Sequence, residues 1–157
     1  MKIAVTGHRP DKVPSYRTAM GQLKEAFEEV GATYVYQGMA EGADLLAARG
    51  AYESGIPFAA VKPWKGHTVG IEWQVMHHLA WEYADEKVWT ADAEEFPGNW
   101  AYHRRNKYMV DNADAVIAYW DGSGVGGTFA TLTYAQAKGK PVYKINPQDG
   151  VRLWLPE

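Results

Sequence analysis

The segment Asp121-Gly-Ser-Gly-Val-Gly-Gly-Thr128 has the residue types of an anion-binding turn. It follows the apolar run Ala115–Trp120 and precedes a helical pattern over residues 132–138. Glycines allow a ligand to approach the backbone because they lack a Cβ atom, and the free N–H groups of a helix N-terminus attract anions. The segment is neither a Walker A loop nor a G-x-G-x-x-G turn. We expect Gly126, Gly127, Thr128 and Thr131 to hold phosphate or ribose, and Asp121 to contact the same ligand.

Two more segments combine glycines with polar side chains directly after predicted strands, Thr6-Gly-His-Arg-Pro10 and Gly38-Met-Ala-Glu-Gly-Ala-Asp44. The guanidinium of Arg9 suits phosphate or carboxylate, and the carboxylate of Asp44 suits a ribose hydroxyl. The structural alternatives are a tight turn ended by Pro10 and a simple helix cap at Asp44. The expected ligand contacts are Thr6, Gly7, His8, Arg9, Gly38, Met39, Ala40, Gly42 and Asp44.

Three further residues are candidates for the same site. Arg105 and Asn106 lie in a basic helical segment and could face the ligand, or they could belong to a solvated helix start. Trp64 follows the third predicted strand, where its ring could stack on a base or pack in the core. Aromatic and guanidinium side chains together with helix N-termini are typical of sites that bind phosphorylated compounds.

Carboxylates and histidines that could do acid–base or metal chemistry are few. Glu41 and Glu72, together with Asp44, are the acids that could act as general bases, although loop acids are usually only solvated. His77 and His78 are adjacent, so they do not share a face of a helix, and no metal-ligand spacing is present. We therefore expect no metal ion and no cofactor.

The elements that must position these residues alternate between short apolar runs and helical patterns. The sequence predicts strands over residues 2–6, 33–37, 57–62, 87–89, 115–120 and 142–145. It predicts helices from a cap at Ser15 to Gly31 and over residues 43–53, 71–83, 102–112 and 132–138, with a loop over 90–100. This alternation is typical of an α/β, Rossmann-like three-layer fold with a mostly parallel sheet. Because ligands bind beyond the carboxyl ends of such strands, the polar segments should converge on one edge.

Composition limits the classes of function. The 157 residues fit a single domain, 1–157, with 46% hydrophobic and 22% charged residues. The net charge of −3 lacks the basic excess of a nucleic-acid-binding protein, so we expect no nucleic-acid partner. The absence of cysteine excludes disulfides and thiol catalysis and suits the cytoplasm. We see no signal peptide and no apolar run of the roughly 20 residues that span a membrane.

Six motifs in order give the chain a resemblance to the SLOG superfamily, which includes DNA-processing protein A and the lonely-guy cytokinin-activating proteins. They are Thr6-Gly-His-Arg-Pro10, Gly38-x-Ala-x-Gly-Ala-Asp44, Arg105-Asn-x-x-Met-Val-Asp111, Ala113-Asp-Ala-Val-Ile-Ala118, Asp121-Gly-x-x-x-Gly-Gly-Thr128, and Tyr134-Ala with Gly139-Lys-Pro-Val142. The YpsA-like branch is the most similar. The resemblance implies a pocket for nucleotide-derived molecules, a role in nucleotide signalling or host–virus conflict, and a homodimer or higher homo-oligomer.

One departure from the family bears on catalysis. Lonely-guy enzymes cleave an N-glycosidic bond with the arginine of Arg-x-x-x-Met, matched here by Arg105 and Met109, and the glutamate of Gly-Thr-x-x-Glu, where this chain has Thr131. A hydroxyl cannot replace a carboxylate at an oxocarbenium-like centre.

We therefore expect a non-catalytic sensor or sequestering protein for an ADP-ribose-like or cyclic nucleotide signal. The alternative is an N-glycosidase or phosphoribohydrolase that uses Arg105 with Glu41, Asp44 or Glu72. A third possibility is a protein-interaction module with a vestigial pocket.

Overall fold

Seven strands form one sheet in the computed structural model, which describes residues 1–124 and 126–156. The strands are β1 (Lys2–Gly7), β2 (Tyr34–Gln37), β3 (Phe58–Lys62), β4 (Glu86–Trp89), β5 (Ala115–Tyr119), β6 (Val142–Ile145) and β7 (Arg152–Trp154). Their order is β4-β3-β2-β1-β5-β6-β7, and all neighbouring pairs are parallel except β6 with β7. The predicted α/β fold with a mostly parallel sheet is confirmed.

In the described ranges, five α-helices cover the two faces of this sheet. They are α1 (Tyr16–Val30), α2 (Ala43–Glu53), α3 (Gln74–Tyr83), α4 (Trp100–Asn112) and α5 (Gly127–Ala137). Successive side chains of a strand point to opposite faces. Ile3 and Val5 of β1 therefore pack in the core under α1, α2 and α3, whereas Ala4 packs in a second core under α4 and α5. No helix in the described ranges is long and apolar enough to cross a membrane.

Several helix boundaries follow the local sequence. The hydroxyl of Ser15 accepts a hydrogen bond from the amide of Thr18 at 3.2 Å and caps α1. Gly31 ends the same helix with a φ of 68°, which is the left-handed conformation that glycine adopts without steric cost. The predicted bounds of α2 and β6 match the structure.

Three predicted helix starts were wrong, and one strand was not predicted. The helix predicted over 71–83 is a 3-10 turn at Ile71–Trp73 followed by α3, and α4 begins at Trp100, inside the predicted loop. α5 begins at Gly127 rather than at residue 132, because the glycine-rich segment itself supplies the first turn. Strand β7 was not predicted, since three residues are too few for a periodic pattern and pairing with β6 alone defines them.

The site is placed by the topology around β1. This strand lies between β2 and β5, and Gly7 at its carboxyl end is in register with Tyr119 at the end of β5. After β1 the chain continues to α1 on one face of the sheet, and after β5 it continues to α5 on the other face. A crevice opens where the strand order reverses in this way, and ligands bind there in open α/β sheets.

Candidate functional site

A cleft of about 600 Å³ opens beyond the carboxyl ends of β1 and β5. Its walls come from the segment after β1, the segment after β2, α4 and the start of α5. The structure brings together eleven of the residues expected from sequence: Thr6, Gly7, His8, Arg9, Ala40, Asp44, Arg105, Asn106, Gly126, Gly127 and Thr128. This volume is within the range of small-molecule sites.

Two buried charges lie at the base of the cleft. The Arg105 side chain donates from Nη1 to the carbonyl of Gly38 and from Nε to Oδ1 of Asn106, the latter at 2.7 Å. Asp44 accepts from the amide of Ala40 at 3.3 Å. Burial raises the pKa of the Asp44 carboxyl, and the positive charges of Arg105 and Arg9 oppose that increase. The site thus holds a guanidinium and a carboxyl that has an increased affinity for a proton.

Three of the expected glycines make close contacts within the protein. A Cβ on Gly7 would lie 2.5 Å from Cβ of Ala43, and one on Gly38 would lie 2.5 Å from the guanidinium of Arg105. A Cβ on Gly42 would lie 2.5 Å from the carbonyl oxygen of His8. Gly38 and Gly42 do not line the cleft. Their lack of a side chain allows Arg105 and the segment after β1 to approach the loop after β2.

Gly126 and Gly127 differ from those three, because beyond their chain neighbours and the backbone of α5 no described atom lies within 4 Å of a Cβ built on either residue. Gly126 has a φ of 95°, so the backbone itself favours glycine there. Gly127 has no such backbone requirement and lines the cleft at the first position of α5. The space beside these two glycines is open to a ligand. Val125, between Gly124 and Gly126, lies outside the described residues.

Asp121 anchors the glycine-rich segment and does not line the cleft. Its carboxylate accepts from the amide of Ser123 at 2.9 Å and lies 3.3 Å from Nζ of Lys12. The bond from Ser123 holds the pKa of Asp121 well below its usual range. Nε2 of His8 is 3.0 Å from Oδ1 of Asp121 and 2.9 Å from its amide nitrogen. The ring accepts from the amide when Nε2 is unprotonated and donates to the carboxylate when it is protonated.

Four other expected residues lie outside the cleft lining. Trp64 is 8% exposed and packs edge-on against Phe96 and Tyr102, so its ring belongs to a small core beneath α4. Met39 is fully buried. Oε2 of Glu41 accepts from the amide of Gly70 at 2.7 Å. The fourth residue is the exposed Glu72.

Solved structures with the same architecture include two DNA-processing proteins and a molybdenum cofactor binding protein. DNA processing protein A from Streptococcus pneumoniae is 19% identical with a TM-score of 0.75, over 95% of this chain and 52% of that one. Its Helicobacter pylori counterpart, described for its single-stranded DNA binding mode, is 18% identical with a TM-score of 0.67, over 93% and 65%. The molybdenum cofactor binding protein from Rippkaea orientalis is 22% identical with a TM-score of 0.60, over 92% and 76%. The chain has the Rossmann-like α/β fold of these proteins.

This chain spans about half the length of the pneumococcal protein. No protein-family model matches the sequence, and no curated protein does. The likeness to these solved structures is therefore one of fold, and membership of the SLOG superfamily and its YpsA-like branch stays a prediction.

Thr131, which replaces the glutamate of the lonely-guy enzymes, is turned into its own helix. Its hydroxyl donates to the carbonyl of Gly127 at 2.9 Å, and the residue is 3% exposed. Ser and Thr side chains commonly bond to the carbonyl four residues earlier in this way. Thr131 does not line the cleft, so the role in phosphate or ribose binding expected for it has no geometric support in this arrangement.

Several residues that line the cleft were not predicted from the sequence. They are Val5, Asp11, Lys12, Asn99, Tyr102, His103, Met109 and Ser123. Tyr102, Arg105, Asn106 and Met109 recur at the i, i+3, i+4 and i+7 positions of α4, which is the spacing of one helix face. That spacing would have identified Tyr102 once Arg105 was chosen. In residues 1–124 and 126–156 no group of three or more His, Asp or Glu side chains could hold a metal ion.

Proposed function

We propose that the cleft binds a phosphate-bearing, nucleotide-derived small molecule without transforming it. An ADP-ribose-like compound or a cyclic nucleotide signal fits this class, and the protein would act as its sensor or sequestering protein. The observation that carries the proposal is the open N-terminus of α5 at Gly126 and Gly127, facing a cleft with buried and exposed basic side chains.

The N-terminus of α5 is the part of the cleft suited to binding an anion. The first N–H groups of α5 have no partner within the helix, and the helix dipole favours negative charge at this end. Gly126 and Gly127 leave open space where side chains would otherwise block access to these groups. A phosphate that entered this space would accept hydrogen bonds from the backbone.

Basic side chains complete the anion site. Arg9 and Lys12 are exposed at one wall, and Arg105 is buried at the base. Asp44 is buried beside Arg105, where a carboxyl could bond to a sugar hydroxyl. The distribution of charge therefore suits a ligand with an anionic end and a hydroxyl-bearing middle.

Two of the structurally similar proteins are described by what they bind. The Rippkaea orientalis protein is named for binding the molybdenum cofactor, and the Helicobacter pylori protein is described for its binding of single-stranded DNA. The bounded cleft and the net charge of −3 favour a small molecule over a polyanionic chain in this protein.

The second candidate function is an N-glycosidase or phosphoribohydrolase, and Asp44 is the observation that favours it. Of the three acids considered from sequence, only Asp44 lines the cleft, and burial raises its pKa. A carboxyl with a raised pKa can protonate a leaving group. Glu41 is bonded to Gly70 and Glu72 is exposed outside the cleft.

One experiment separates binding from turnover. The protein is incubated with a panel of nucleotides and cyclic ADP-ribose isomers, the depleted ligand is measured, and the denatured sample is analysed by mass spectrometry. Recovery of intact ligand supports sequestration. Release of free base or ribose phosphate with turnover, abolished in Asp44→Asn, supports the hydrolase. Absence of binding across this panel refutes both the sequestering protein and the hydrolase, and it favours the interaction module. If a single-stranded oligonucleotide binds and no member of the panel does, the cleft is assigned to nucleic acid.

We also propose a homodimer or higher homo-oligomer in the cytoplasm. The supporting observation is the apolar surface along α3 and the turn before it, where Ile71 is 84% and Val75 is 70% exposed. Exposed apolar patches of this kind are typical of protein interfaces. Light scattering coupled to size-exclusion chromatography tests the oligomeric state, and a monomer at micromolar concentration would contradict it.

A further inference from the structure

Tyr102 is the one Phe, Tyr or Trp among the described residues that line the cleft. It lies in the first turn of α4, on the same helix face as Arg105 and Asn106. Its side chain is partly exposed, unlike the buried Trp64 behind it. An aromatic ring is therefore available to a molecule in the cleft.

The neighbours of Tyr102 hold its ring in place. The ring of Trp64 contacts it edge-on at 5.5 Å between centroids, and the ring of Phe96 lies at 6.0 Å. The guanidinium carbon of Arg105 is 5.8 Å from the centroid of the same ring. A ring that is already fixed loses little conformational entropy when a ligand stacks on it.

Asn106 offers a directional polar contact on the same wall. Its Oδ1 accepts from Nε of Arg105, which fixes the orientation of the amide. The Nδ2 group is a donor with no partner in the described part of the chain. It can donate to a carbonyl or ring nitrogen of a ligand.

We propose that Tyr102 is a stacking platform for a planar heterocycle and that Asn106 donates to an acceptor at the edge of that ring. The inference rests on the proposed function, because the phosphate of the same ligand would occupy the N-terminus of α5. It narrows the ligand class to phosphates that carry a planar heterocycle, either a nucleobase or a pterin. A sugar phosphate alone would occupy only the polar part of the cleft.

Matched ligands test this assignment. Dissociation constants are measured by calorimetry for AMP, for neopterin monophosphate and for ribose 5-phosphate, which has no ring system. The native protein should bind at least one of the ring-bearing probes about tenfold to a hundredfold more tightly than ribose 5-phosphate, which is the range of one base–aromatic stack. The relative affinities of AMP and neopterin monophosphate distinguish the two sources of the ring.

Three variants of Tyr102 locate the effect. Tyr102→Ala and Tyr102→Leu should bind the ring-bearing probes no more tightly than ribose 5-phosphate, and their affinity for ribose 5-phosphate should be unchanged. Tyr102→Phe should keep the tighter binding of the ring-bearing probes. The leucine variant preserves apolar volume against Trp64, so it keeps the test valid if the alanine variant unfolds. Asn106→Ala should lower the affinity for the ring-bearing ligand about fivefold to tenfold.

Two results overturn the inference. If the native protein binds ribose 5-phosphate and both ring-bearing phosphates with equal affinity, Tyr102 is not a stacking platform, although the proposed anion site still stands. Equal losses for all three probes in Tyr102→Leu would give Tyr102 a general structural role. If none of the probes binds, the proposed function fails as well.

Discussion

Gly127→Ala separates the effect of a substitution on the fold from its effect on the ligand. Beyond its chain neighbours and the backbone of α5, no described atom lies within 4 Å of a Cβ built on Gly127, and its φ is not in the left-handed region. Replacing glycine by alanine at a compatible position stabilises a protein by about 0.4–1 kcal/mol, because the unfolded chain loses conformational freedom. For a domain of this size that corresponds to a rise in Tm of about 1–4 °C.

The same methyl group should weaken ligand binding. Gly127 is the first residue of α5 and lines the cleft, so the added carbon stands where a phosphate would approach the free N–H groups. Loss of one charge-assisted hydrogen bond costs about 1.5–3 kcal/mol. The dissociation constant should therefore rise by about tenfold to 150-fold.

Gly21→Ala is the matched control. Gly21 lies inside α1, and a Cβ built there also meets no described atom within 4 Å. Calorimetry with the best ligand from the panel and thermal unfolding by circular dichroism should show raised stability in both variants and weakened binding only in Gly127→Ala. Unchanged affinity in Gly127→Ala would refute the placement of the anion at α5.

Three further predictions concern the support of the site. Gly38→Ala should weaken ligand binding at least tenfold and lower Tm, because its Cβ would displace the guanidinium of Arg105; a calorimetric titration that matches the native protein would contradict this. Gln37→Leu should cost about 1–3 kcal/mol in urea unfolding, because the fully buried Oε1 accepts a 2.8 Å bond from the turn amide two residues later; a loss under 0.5 kcal/mol would show that amide to be satisfied otherwise. Burial lowers the pKa of His67 to about 3 and that of His77 to about 4. Below pH 6.5 the folded state therefore binds fewer protons than the unfolded state. The free energy of unfolding should fall by about 1–2 kcal/mol per histidine from pH 7 to pH 5. His77→Gln should lose less stability over that interval, and equal losses would assign the pH dependence to other groups.

Six of the seven described strands, and the edge of the sheet that carries the site, were predictable from local patterns. Apolar runs such as 115–120 and the helix stops at glycine depend on side chains near in sequence. Once the sheet is parallel, every segment after a strand emerges at one edge, so the grouping of His8, Asp44 and Gly127 required no knowledge of packing.

The individual roles of those residues were not predictable in the same way. Gly38 and Gly127 look alike in sequence, but the first makes room for Arg105, 67 positions away, and the second borders open space. Trp64 follows a strand as a ligand-stacking ring could, but it is covered by Phe96 and Tyr102. These differences arise from contacts between segments distant in the chain.

The sequence by itself determined the alternation of strands and helices, the glycine-rich start of α5 and the absence of a carboxylate at Thr131. Only the tertiary structure decided that the Thr131 hydroxyl bonds to its own helix, that Asp44 is the one of the three candidate acids that lines the cleft, and that Tyr102 lies in the cleft wall. The physical reason is the separation in sequence over which the interactions act. Backbone conformation and hydrophobic periodicity depend on residues that are close to one another along the chain. Burial, pKa and access to a ligand are set by which elements pack across the sheet edge.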